Sequence, residues 1–331
     1  MNNHLALKQF LEKSLKFPCE IHLESSSKCN SRCVICPRDK MLRELGELDL
    51  ELFRKAVEET PPYDLDYIHL HLNGEPLLLD IDNLVWRINY AKKLNPKTSI
   101  CIFTNGSLLD DEKIDKIINS KLDIISISVD GGNKKDFETM RVGLLWDVVI
   151  RNVKKLVSKK KEVKSNLYIQ TAIIPTKLNE NSIEEYYKLF NDIGVDNCGG
   201  SGVLNIGGLI DSDSMRTKLQ KYILDDLERP CWKLFIDLSI MSDGRACVCA
   251  QDVVGALPIG DLWTQTLKEI WQGLIMTGIR NKFVYGEKNR IPFCGPCDYM
   301  TGFVMPDFWK LSSKEWIEIY EDVKNREYRN I

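Results

Sequence analysis

No apolar run in the chain approaches the length of a membrane span, and Met1 to Pro18 lacks the apolar centre and small-residue cleavage site of a signal peptide. A cytoplasmic protein without a membrane partner is the expectation. Nor is there a broad basic field: a net charge of -3 with interleaved Lys and Glu argues against nucleic acid as the main partner, and Lys159-Lys160-Lys161 reads as a solvated helix end. What the chain has is bulk. With 331 residues, 44% of them hydrophobic, it can bury one large core and carry a small appendage.

Its eleven cysteines are odd in number and unevenly spread, which in a reducing compartment points to metal binding rather than disulfides. Cys19, Cys101 and Cys198 stand alone and read as buried apolar thiols. Cys29-Asn30-Ser31-Arg32-Cys33-Val34-Ile35-Cys36 places three thiols together just after the strand-like run Glu20 to Glu24. A closed zinc or ferredoxin site needs four protein ligands, so a local set of three either borrows a distant fourth or leaves one iron of a four-iron cluster open. A zinc knuckle is the structural alternative.

Along the chain, strand and helix patterns alternate. An amphipathic helix over Met1 to Lys16 precedes the strand ending near Leu23; a helix over Leu50 to Glu59 follows the cysteine loop. Then come Tyr67 to Leu72 with a helix over Asp82 to Lys92, Thr98 to Phe103 with a helix from Asp110, and Ile124 to Val129 with Leu144 to Val157. Leu167 to Ile174 leads to Ile183 to Ile193, and a sixth short strand is expected near Val203 to Asn205. Six such units predict an α/β fold, a partial (β/α)6 TIM-like barrel, whose ligands bind at the carboxyl ends of the strands. Polar punctuation falls there: Asn73-Gly74-Glu75-Pro76, Thr104-Asn105-Gly106-Ser107, and Ser126-Ile127-Ser128-Val129-Asp130-Gly131. Singly each could be a turn.

The CxxxCxxC set resembles that of the radical S-adenosylmethionine (SAM) superfamily, and the order of the later strand ends extends the resemblance over about Glu20 to Gly208. The resemblance implies that Cys29, Cys33 and Cys36 hold a 4Fe-4S cluster whose open iron binds SAM. Reductive cleavage of SAM would then give a 5'-deoxyadenosyl radical that abstracts a substrate hydrogen. It further implies that Asn73, Gly74, Glu75 and Pro76 receive the SAM ammonium, as the family's GGEP motif does, with Asn73 in place of the first glycine. Ser128 and Asp130 become candidates for the ribose or carboxylate of SAM, with Asn105 and Gln170 as further cofactor-binding candidates and Thr171 beside the latter. Ile35 replaces the usual aromatic before the last cysteine and keeps an apolar contact without stacking. Arg141 is read either as a partner for a carboxylate or as a surface salt bridge.

Beyond Asp211 the alternation stops, with a helix expected over Met215 to Leu227, and cysteines recur at Cys231, Cys247, Cys249, Cys294 and Cys297. Asp243-Gly244 marks a hairpin turn. The order resembles the auxiliary-cluster domain called SPASM, and more closely its shortened form, twitch; the seventeen residues between Cys231 and Cys249, with CxxC far downstream, are similar to the pattern of the aminocyclitol (deoxy-scyllo-inosamine) dehydrogenases. By that resemblance Cys231, Cys249, Cys294 and Cys297 hold a second 4Fe-4S cluster, with zinc in the same thiolates as the alternative. Cys247 is left as a hydrogen-atom donor, a stand-in ligand for Cys249, or packing; strand alternation would put both thiols on one face.

The resulting organisation is an N-terminal helix over 1–18, the barrel over 19–210, the auxiliary domain over 211–310 and a helical tail over 311–331. The expected activity is hydrogen abstraction from a small polyhydroxylated substrate, such as a sugar, aminoglycoside or aminocyclitol, giving a ketone or an epimer. An electron donor such as flavodoxin or ferredoxin would be needed. Maturation of a ribosomally made peptide is the alternative enzyme, and a two-cluster electron carrier the non-enzyme one. Gly199-Gly200 and Gly207-Gly208 are read as loop connections or places where backbone approaches a ligand.

Overall fold

The computed structural model describes residues 2–217, 230–299 and 306–327. Most of the helix expected over Met215 to Leu227 lies outside them. Six strands in chain order, β1 (Glu20–Leu23), β3 (Tyr67–His69), β4 (Ser99–Thr104), β5 (Ile124–Ser128), β7 (Tyr168–Ile173) and β8 (Asn197–Gly200), lie side by side and all parallel. β2 (Arg32–Cys33) and β6 (Arg141–Val142) form a separate antiparallel pair that ties the cysteine loop to the segment after β5. This is the partial-barrel architecture expected, with one correction. The sixth strand is Asn197–Gly200, not Val203 to Asn205. Asn-Cys-Gly-Gly has no apolar alternation to mark it; its pairing with β7 supplies the ladder, and a Cβ on Gly200 would come within 2.8 Å of the Ile173 carbonyl.

The register explains the two faces of the sheet. Ile21, Ile68 and Ile100 align across three strands, as do Ile102, Ile125 and Ile169, and all are fully buried beneath the helices. Burying each such side chain contributes roughly 1.5–3 kcal/mol. The other face of β1 and β3 carries Glu20, His22 and His69, so the inside of the barrel is polar at this end. Among the helices, α2 (Leu50–Glu58) turns Leu52, Phe53, Ala56 and Val57 inward, and Asp49 caps it by accepting from the amides of Glu51 and Leu52.

The N-terminal helix α1 (Asn3–Ser14) packs against the helix Ser313–Glu327 and against the turn before it, where Phe10 lies 5.3 Å from the Trp309 ring. The hairpin foreseen at Asp243-Gly244 is present: β9 (Asp237–Ile240) and β10 (Arg245–Cys247) are antiparallel around Gly244, whose φ is +92°. Less expected is its attachment. β9 pairs in parallel with β1, and β11 (Pro258–Asp261) adds to β10, so the later segment extends the barrel sheet to nine strands. Among the described residues no helix is long and apolar enough to cross a membrane.

Candidate functional site

A cavity of about 500 Å³ opens at the carboxyl ends of β1, β3, β4 and β5. Its wall brings together Cys29, Cys33, Cys36, Asn73, Gly74, Glu75, Asn105 and Ser128, drawn from four separate strand ends, with Ile35 and Arg141.

The loops are locked to one another. Glu75 is buried, and its carboxylate accepts from Thr104 Oγ1 at 2.6 Å, the Asn105 amide at 2.7 Å and the Leu77 amide at 3.1 Å. Burial holds its pKa above the ordinary carboxylate value, opposed by those three donors and by Arg141. A Cβ on Gly74 would lie 2.0 Å from the Ser26 carbonyl, so the strand end must be glycine to pack under the cysteine loop. Asn105 donates to Asn30 Oδ1 at 2.8 Å, and Asn30 donates to Ser107 Oγ at 3.0 Å, which pins that loop from the other side.

Arg141 is not a surface cation. It is 12% exposed at its side chain and pairs with Asp130 Oδ2 at 2.6 Å, and its Nη1 stands 3.5 Å from Cys33 Sγ. Burial draws its pKa down, but Asp130 and Cys33 outweigh that and the net direction is up. Asp130 is spent on this pair and on the Ile174 amide, 2.8 Å away, and stands behind the cavity wall rather than on it. Pro76 is buried at the start of a short 3-10 turn, and Gln170, on β7, does not line the cavity.

The second set also converges. Cys231, Cys249, Cys294 and Cys297 line one small enclosed space with Lys288, Phe293 and Tyr299. Burial, then the neighbouring Cys297, pushes the Cys231 thiol up to about 12, and burial followed by Asp237 and the other three thiols pushes Cys249 well above its usual value. Burial raises all four thiols, and a cation bound among them would favour the thiolates. Gly207, in a left-handed turn at φ +65°, packs on Phe293 at the edge of this space.

Cys247 lines neither space. β10 carries a register shift between Ala246 and Cys247, and the strand stops there, so alternation does not carry on to Cys249. Cys247 is fully buried, with its Sγ 3.7 Å from the Ser239 carbonyl and 3.4 Å from that of Cys249. The shared face expected for the two thiols is therefore corrected, and access of Cys247 to the large cavity with it.

Among the described residues no cysteine set brings its sulfurs all within 4.8 Å of one another, whereas one zinc ion with bonds of about 2.3 Å would hold its four sulfurs about 3.8 Å apart.

Residues without a motif complete the wall: Glu20, His22, His69, His71, Lys233 and Gln251. Lys233 Nζ lies 3.0 Å from buried Asp237, and Lys233, Gln251 and Tyr299 line both spaces. The sequence offered one signal for them, alternation of His69 and His71 along a strand, but no partner for it.

Comparison with known proteins agrees with this geometry. The profile of the Radical SAM superfamily matches residues 23–190, and that of SPASM, an iron-sulfur cluster-binding domain, matches 231–298. A "Tungsten-containing aldehyde ferredoxin oxidoreductase cofactor-modifying protein" of Pyrococcus furiosus is 27% identical over 182 residues, 53% of this chain and 49% of that protein. An "S-adenosyl-L-methionine-dependent 2-deoxy-scyllo-inosamine dehydrogenase" of Niallia circulans is 29% identical over 119 residues, 35% of this chain and 47% of that protein. The chain thus spans about half the length of the curated relatives it matches. Among solved structures, BtrN in complex with AdoMet and 2-DOIA has a TM-score of 0.58 at 19% identity, covering 86% of this chain and 94% of that one. Streptococcus suis SuiB bound to precursor peptide SuiA has a TM-score of 0.65 at 16% identity, covering 88% and 73%. At these identities the structures speak for the fold. The profiles bring SAM and two 4Fe-4S clusters as cofactors.

Proposed function

The chain belongs to the radical SAM superfamily, and from that premise we propose that it removes hydrogen from a C–H bond of a small polyhydroxylated substrate, a sugar, aminoglycoside or aminocyclitol, giving a ketone or an epimer. In this reading Cys29, Cys33 and Cys36 hold the cluster that binds SAM, and Cys231, Cys249, Cys294 and Cys297 hold the auxiliary one. When bound, these groups supply the reductive cleavage of SAM and a second place for an electron.

The chain's own residues position the reactants. The Asn73-Gly74-Glu75-Pro76 end presents backbone carbonyls and the Glu75 carboxylate to the SAM ammonium, while Asn105 and Ser128 face the same ligand. Asp130 works through Arg141, and Gln170 has no part in the contact. Oxidation of a CHOH group removes one hydrogen atom, one proton and one electron; inversion removes and returns a hydrogen atom.

One observation carries the substrate class. The cavity that holds the three cysteines is also lined by Glu20, His22, His69, His71, Lys233 and Gln251, donors and acceptors that match hydroxyl and amino groups. The relative acting on 2-deoxy-scyllo-inosamine supports this reading. The neighbour bound to a precursor peptide supports a second one, modification of a peptide. A reductant such as flavodoxin or ferredoxin would serve either.

Anaerobic, reconstituted and reduced protein incubated with SAM should yield 5'-deoxyadenosine, and a panel of C-deuterated cyclitols and sugars should return deuterium into it. Deuterium transfer from a deuterated peptide alone would replace the polyol by a peptide. No 5'-deoxyadenosine under any condition would end the enzyme reading.

A further inference from the structure

The chain has only four histidines, and three of them meet in the large cavity. His22 on β1 and His69 on β3 are register partners, so their rings stack 4.2 Å apart and within 9° of parallel; His71, two residues on from His69, meets both edge-on. One ring nitrogen from each lies within 4.8 Å of the other two. All three residues are nearly buried, at 7%, 9% and 8% exposure, and no nitrogen of His22 or His69 makes a well-formed hydrogen bond, each Nε2 having only a carboxylate at 3.5–3.6 Å. Buried imidazoles this poorly satisfied leave ring nitrogens for a ligand.

We propose that His22, His69 and His71 bind a mononuclear divalent transition metal, such as Zn2+, in a third site separate from both cysteine sets. Nitrogen donors suit a borderline ion, and three ligands facing a cavity leave a coordination position open. Carboxylates stand behind two of the rings: Asp237 Oδ1 is 3.6 Å from His22 Nε2, and Glu20 Oε2 is 3.5 Å from His69 Nε2. Such carboxylates commonly take the outer N–H of a ligating histidine and so leave Nδ1 for the metal. The nearby charge of Lys233 is answered by Asp237 at 3.0 Å. Burial, then His69, holds the pKa of His22 and His71 well below the usual value, the direction that favours the neutral, ligating imidazole.

Competing with this is one contact. The Phe103 amide donates to His71 Nδ1 at 3.1 Å, which places the His71 proton on Nε2. Coordination by His71 gives up that single neutral hydrogen bond as the ring turns. His22 and His69 must also unstack, since parallel rings cannot both point an in-plane lone pair at one ion, but neither gives up a well-formed hydrogen bond in doing so. A metal here would polarise an oxygen of a bound ligand as a Lewis acid; that role, unlike the site itself, rests on the polyol reading.

The test uses untagged protein with both clusters reconstituted, equilibrated with ZnCl2 and desalted. About one zinc per chain is expected, with a zinc-edge X-ray absorption spectrum showing a nitrogen and oxygen shell at about 2.0–2.1 Å and imidazole scattering. His22→Ala, His69→Ala and His71→Ala should lose the zinc while iron content is kept, and His4→Ala should keep both. Should an alanine variant also lose iron, the asparagine variant at the same position replaces it. No retained zinc, a sulfur shell at about 2.3 Å, or zinc undiminished in the cavity variants would each overturn the site. None of these readouts depends on turnover, so failure of the metal site and failure of the polyol reading are distinguishable.

Discussion

Glu24 holds three parts of the molecule at one point. Its Oε1 accepts from Arg43 Nη2 at 2.7 Å and from the Asn73 amide at 3.3 Å, and its Oε2 accepts from the Ser242 amide at 2.7 Å. Arg43 and Glu24 are 3% and 0% exposed, so the pair is out of water. Removing one partner of a buried pair leaves the other charge stranded, at a cost of about 3–5 kcal/mol. Glu24→Ala should therefore lower the urea midpoint markedly, and Glu24→Gln, which still accepts, should fall between. Unfolding of Glu24→Ala that matches the parent would refute the claim. Nothing in the sequence marks Glu24, because its partners are far along the chain and belong to loops without periodic pattern. Gly74 and Glu75 were legible for the opposite reason: their roles are packed into four consecutive residues.

At the scale of elements, the strands with isoleucine on their helix-facing side were legible, and the one without was misplaced. Asn197–Gly200 becomes a strand only because β7 offers it a ladder. The hairpin at Asp243-Gly244 was equally legible, since a left-handed turn residue is written as glycine, but the register shift at Ala246/Cys247 has no compositional mark. That one-residue irregularity separates two thiols that alternation would have placed together. Its consequence is measurable in iron. Cys249→Ala should lose about four irons per chain, whereas Cys247→Ala should keep them all and lose only packing. Equal iron loss in both would restore Cys247 to the ligand set.

Across the whole molecule, parallel pairing of β9 with β1 fixes the auxiliary segment to the first strand of the barrel, and the two cysteine sets come to share a wall. Lys233 is the charge in that wall. It lines the four-cysteine space and its charge acts on Cys231, while its partner Asp237, outside that lining, acts on Cys249. Burial draws the Lys233 pKa down, but Asp237, Tyr299 and Glu20 together outweigh it and the net direction is up, so the side chain stays charged. A nearby cation favours the more reduced, more negative state of a redox group. Lys233→Met removes that cation from the wall, and the four-cysteine space becomes less positive. The auxiliary midpoint potential should then move to more negative values in an anaerobic redox titration followed by electron paramagnetic resonance, with the first cluster, whose cysteines do not share the smaller space, displaced less. A potential that stays put, or moves upward, would mean that Lys233 does not act on the auxiliary site and serves the larger cavity alone.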